Sequence, residues 1–184
     1  MNLVSTMLAI VSLCFIGNKY WEDFSDSEKD RVLKTENVPE EVIKLYNAQF
    51  ILSDDEATFG LIGKLISEQT NVGLKDLYFH IFNKIILSAD GALAEVMADY
   101  AIIVFMSDIR YVLDYFTIYN EIMVRYGESL GVEFYFNQDG KSGFPYTFNQ
   151  FKEKIKMDLN DSNKYDKLLS CFYEIIDHQM KRMN

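Results

Sequence analysis

Proline is almost missing from this chain, with two residues in 184, and glycine is modest at nine. Strand-and-turn architectures need many such punctuating residues, so an all-β fold is excluded and long helical runs are favoured. Only two cysteines occur, Cys14 and Cys171, too few for a disulfide framework. Both fall in apolar helical patterns and are read as small buried thiols of a reducing compartment. Charge is missing altogether from residues 1–18. The apolar run Leu3 to Ile16 is about 14 residues, short of the roughly 18 to 20 that span a bilayer. No positive region stands ahead of it before Lys19, as a secretory signal would require. A buried core helix is therefore expected there, with a membrane-directed segment as the alternative.

Positive charge is the other scarcity. Eighteen Lys and Arg face 28 Asp and Glu, for a net charge of −10. The excess is uneven: residues 20–60 hold eleven acids against four bases, residues 61–147 eleven against six, and residues 148–184 six against seven. Binding nucleic acid needs clustered Lys and Arg that displace counterions from phosphates, and an acidic field repels phosphates and anionic lipid alike. A basic protein partner is the class that this field attracts.

What the chain has in abundance is apolar and aromatic residues, 49% and 15% of the total, enough for 184 residues to bury one core without metals or disulfides. The organising stretch is Gly91 to Gly131. Phe105, Ile109, Val112, Phe116, Tyr119, Met123 and Tyr126 recur there at helical spacing, with Ile102, Met106 and Leu113 beside them. It is expected to form one long helix, or two helices breaking near Ser107 and Asp108. Around it, start signals mark further helices: the capping boxes Ser25 to Glu28 and Ser53 to Glu56, the Pro39-Glu40-Glu41 start, Ser88 or Asp90, and Thr147 with Gln150. Val42 to Phe50 gives one apolar face, Gly73 closes a helical region, and Leu74 to Leu87 is amphipathic. Residues 132–147 break the pattern and read either as a short β-hairpin turning at Asp139-Gly140 or as an ordered aromatic loop. The expected architecture is all-α, one domain over residues 1–184, a bundle of about seven or eight helices around a long central one.

Chemistry-bearing clusters are sparse. Asp76 with His80, and Glu174 with His178, are i,i+4 pairs that could hold a metal if they faced one another across a bundle. Dicarboxylate bundle sites use an i,i+3 Glu-to-His spacing that neither pair has. Gly140-Lys141-Ser142 imitates the end of a phosphate loop, but Tyr135 stands where its first glycine belongs. No serine sits in a nucleophile elbow. No catalytic group, metal or cofactor is therefore assigned. What remains is surface: the acidic helix starts Glu40, Glu41, Asp54, Asp55 and Glu56, and the acidic-aromatic group Glu133, Tyr135, Asp139 and Tyr146, which has the composition of a hot spot for a basic partner.

An acidic helical domain of this size with no catalytic constellation resembles, at the level of class, the immunity proteins of bacterial contact-dependent and polymorphic toxin systems. The resemblance implies cytoplasmic binding and neutralisation of a cognate toxin, often a basic nuclease domain. Two alternatives stay open: a metal-binding helical enzyme built on Asp76, His80, Glu174 and His178, and a non-catalytic adaptor of phage or bacterial origin.

Overall fold

The computed structural model describes residues 19–35, 37–53, 55–67, 72–160 and 163–183. Among them the regular structure is entirely helical: α1 Asp26–Thr35, α2 Glu40–Tyr46, α3 Glu56–Ser67, α4 Val72–Ser88, α5 Gly91–Ser107, α6 Ile109–Ile118, α7 Asn120–Phe136, α8 Phe148–Leu159 and α9 Asp166–Arg182, with short 3-10 turns at Trp21–Asp23 and Asn163–Tyr165. The expected N-terminal core helix and Cys14 lie outside the described residues. No helix among the described residues is long and apolar enough to cross a membrane.

The Gly91 to Gly131 stretch is broken twice. At the first break Ser107 donates to the Val104 carbonyl at 2.7 Å, and Asp108, in a non-helical conformation, caps α6 by accepting from the Tyr111 amide at 3.2 Å. Lys75 of α4 pins the corner with an ion pair to Asp108 at 2.6 Å. The second break, at Tyr119, is additional to the expected one: the residue leaves helical geometry (φ −115°, ψ 73°) and Thr117 ties its hydroxyl to the Asp114 carbonyl at 2.6 Å. Each interruption occupies one residue, so the apolar stripe passes through both. Phe105, Ile109, Val112, Phe116, Met123 and Tyr126 are all buried.

α7 is the hub, packed by α4, α5, α6 and α9. Phe105, Phe116, Phe134, Phe151 and Phe172 are fully buried around it. Phe105 stacks on Phe172 at 5.5 Å and Phe116 meets Tyr126 edge-on at 5.2 Å. Burying five phenylalanines contributes about 10 kcal/mol at roughly 2 kcal/mol each. Gly127 and Gly131 give α7 a bare strip on which α9 rests. A Cβ at Gly131 would lie 2.9 Å from the Ile176 carbonyl oxygen, and one at Gly127 would lie 2.7 Å from Ile175 Cγ2.

Several local expectations are corrected. Residues 132–136 are the last turn and a half of α7, so no hairpin forms over 132–147, and residues 137–147 are the ordered loop. Valine and aromatic residues suit strands, but here Phe134 points into the helical core and tertiary packing overrides propensity. α2 stops at Tyr46 and does not reach Phe50, because Ala48 takes a left-handed conformation (φ 56°) and the Gln49 amide closes the end on the Lys44 carbonyl at 2.7 Å. The cap of α3 is Asp55, not Ser53: its carboxylate accepts from the Thr58 amide at 2.8 Å. Gly73 lies in the first turn of α4 instead of ending the preceding helix. Ser88 bonds back to the Lys84 carbonyl at 2.9 Å, and Asp90 takes the cap position of α5 without a side-chain bond. Cys171 is exposed on α9 rather than buried.

Candidate functional site: an acidic depression between α2 and α3

Two of the acidic helix starts fold onto one depression. Pro39 sets the start of α2, where Glu40 and Glu41 meet unpaired amides and the positive end of the helix dipole. The turn at Asn47 and Ala48 then reverses the chain and carries Phe50 and Ile51 to the start of α3. There Asp55 receives the Ser53 hydroxyl at 2.5 Å as well as the Thr58 amide, and Thr58 in turn accepts from the Ser53 amide at 3.2 Å. These bonds, the Ser53 hydroxyl first, hold the Asp55 carboxyl below the ordinary carboxylate range. The resulting depression, about 260 Å³, is lined by Glu41, Phe50, Glu56, Ala57, Gly60, Leu61 and Lys64.

Its chemistry is that of recognition. The lining combines an apolar floor of Phe50, Ala57 and Leu61 with the carboxylates of Glu41 and Glu56, and among the described residues it contains no histidine, cysteine, serine or tyrosine. Glu40 is taken by Lys44 at 2.7 Å, whose hydrogen bond and charge lower its pKa. Beside Phe50, Ile51 is 88% exposed, the most exposed large apolar side chain of the described residues. Asp54 lies outside them. Neither Phe50 nor Ile51 was singled out from sequence as a surface residue. The signal was a three-residue apolar run, Phe50-Ile51-Leu52, standing directly before a helix start.

The other proposed group, Glu133, Tyr135, Asp139 and Tyr146, lies elsewhere, on α7 and the loop after it. Glu133 is half-buried, and burial, with Asp99 and Glu95 of α5 nearby, raises its pKa. Tyr135 is half-buried edge-on to Phe136, which is 60% exposed. Buried Asn137 organises the loop: its Nδ2 donates to the carbonyls of Phe144 at 3.0 Å and Tyr146 at 2.9 Å, and its Oδ1 accepts from the Ser142 amide at 3.0 Å. Phe144 is buried against Phe134, Tyr146 is half-buried, and only Asp139, paired with Lys141, stands fully out. This loop spends most of its aromatic surface on the core.

The His pairs do not converge. His80 donates from its Nδ1 to Glu22 Oε1 at 2.7 Å, and Tyr115 donates to the same oxygen at 2.9 Å. Burial works to raise the Glu22 pKa, but the hydrogen bond from His80, its own backbone, the His80 charge and Tyr115 outweigh it and hold the carboxyl low. One turn earlier, Asp76 is buried and accepts from Tyr111 at 2.7 Å; burial raises its pKa despite that bond. These residues form a polar seam that fastens the Trp21–Asp23 turn and α6 to α4. Glu174 and His178 instead line an open groove of α7 and α9 with Glu128 and Cys171. No group of three or more His, Cys, Asp and Glu suited to a metal occurs among the described residues.

Comparison with protein-family models, curated proteins and solved structures gives no match to this chain. The functional reading therefore rests on the surface itself.

Proposed function

We propose that this chain is an immunity protein that binds a basic toxin domain, with the depression between α2 and α3 at the centre of the contact. The observation that carries the reading is the convergence of Glu41 and Glu56 on an apolar floor beside Ile51, in the part of the chain with the largest acid excess. A desolvated apolar centre ringed by charge is the composition of a binding hot spot. An acidic field around it speeds encounter with a basic surface, of the kind a nuclease uses to hold phosphates, and covering that surface denies it substrate. In this reading the protein works in the cytoplasm, where such a toxin finds nucleic acid, and has no use for a cofactor.

The experiment pairs the protein with the polypeptide encoded beside it. Complex formation is measured by calorimetry and association kinetics, and protection by survival of cells expressing the toxin. Reversing Glu41 and Glu56 to Lys is expected to slow association about tenfold or more at low salt. The difference should shrink as ionic strength shortens the reach of the charges. Binding without protection indicates an adaptor. Absence of both binding and protection overturns the proposal.

A further inference from the structure

The depression has the size and chemistry of a receptor for one side chain, and we infer that its occupant is an arginine of the partner protein, its aliphatic stem on Phe50 and Leu61 and its guanidinium between Glu41 and Glu56. This deepens the reading above and rests on it for the identity of the partner, though not for the chemistry of the pocket.

Three observations converge. Glu41 and Glu56 come from different helices and bound the same hollow. Among the described residues no ion pair involves Glu41, Glu56 or Lys64; Lys44 is paired with Glu40 and reaches Glu41 only through its charge. The floor is open, because a Cβ built on Gly60 meets no atom within 4 Å. A carboxylate pair over an aromatic and aliphatic floor selects a cation with a long apolar stem. Arginine fits better than lysine, since its planar fork can bond two carboxylates at once and its face stacks on a phenyl ring. Lys64 on the same wall weakens the attraction for any cation, so the ligand has to be held by directed, charge-assisted hydrogen bonds as well as by net charge. Ile51, next in sequence to the lining residue Phe50 and exposed, offers the surrounding partner surface an apolar contact.

The test uses the full chain, isotope-labelled, titrated with N-acetyl-arginine N-methylamide and with the lysine and norleucine counterparts, followed by amide shifts. The expected result is saturable movement of residues 41, 50, 56–61 and 64 with the arginine probe, several-fold weaker with lysine and none with norleucine. Gly60→Met sends a flexible side chain toward the hollow from a position where a Cβ meets no atom within 4 Å and improves helix propensity, so it should fold as well as the parent and weaken the probe about tenfold or more, the loss of one well-made contact. Glu41→Gln with Glu56→Gln should do the same. Absence of saturable shifts at these residues, equal affinity for the norleucine probe, or an unchanged affinity in Gly60→Met overturns the inference. The two failures are separable: a chain that protects against its toxin equally well with Gly60→Met refutes the arginine pocket and leaves the immunity reading standing. A chain that binds the probe but no toxin does the reverse.

Discussion

Four helical glycines should respond to alanine with opposite signs, and the structure supplies the reason. In a helix interior, alanine is favoured over glycine by about 0.5 to 1 kcal/mol, because glycine loses more backbone freedom on folding. At Gly60 and Gly63 of α3 a new Cβ meets nothing within 4 Å, so this gain is realised in full. A rise in melting temperature of about 2 to 4 °C is expected for each kcal/mol in a chain of this size. At Gly131 the same methyl would sit 2.7 Å from Gln179 Cβ and 2.9 Å from the Ile176 carbonyl oxygen. A backbone oxygen has no rotamer to retreat to, so α9 must move off α7. Overpacking of this kind costs about 1 to 3 kcal/mol, which exceeds the propensity gain. Gly127 faces Ile175 Cγ2 at 2.7 Å and Cβ at 3.1 Å, and a β-branched side chain in a helix has one strongly preferred χ1, so it yields little. Urea unfolding followed by far-ultraviolet circular dichroism measures all four variants. Gly60→Ala and Gly63→Ala should raise the midpoint, and Gly127→Ala and Gly131→Ala should lower it at unchanged slope. If Gly131→Ala stabilised the protein as Gly60→Ala does, the close seating of α9 on α7 would be wrong.

Three further outcomes follow from the polar groups. Asn137→Ala removes three hydrogen bonds, one buried and two part-buried, that fix the 137–147 loop, and should destabilise by about 2 to 4 kcal/mol, since the orphaned backbone groups keep much of their desolvation penalty; hydrogen exchange should rise at Ser142 to Tyr146 and not in α9. Glu22→Gln should lower stability near pH 7 by about 1.5 to 3 kcal/mol, the range for a hydrogen bond to a charged group. Because the folded pKa of Glu22 is held below its ordinary value of 4.5, its contribution is present above that pH and lost as pH falls through the folded value, so parent and variant should converge in acid. Asp76 has the opposite sign: its folded pKa is raised, so its contribution is present in acid and lost as pH rises. Asp76→Asn keeps an acceptor for Tyr111 and should match or exceed the parent at pH 7, losing that advantage toward pH 3 in urea titrations; an equal loss at both pH values contradicts it.

The sequence by itself determined the helical class, the buried stripe from Phe105 to Tyr126 and the caps at Ser25 and Thr147, because periodicity and capping are local: they depend on neighbours three or four residues away. It also held the acidity of the helix starts, as composition. The tertiary structure alone decided the second break at Tyr119, the helical end of α7 at 132–136 and the exposure of Cys171, since each depends on what packs against that turn from distant parts of the chain. The pairing of His80 with Glu22, 58 residues apart, is of the same kind. So is the candidate site: Glu41 and Glu56, 15 residues apart in sequence, become neighbours only because the chain between α2 and α3 brings both to one hollow with Phe50.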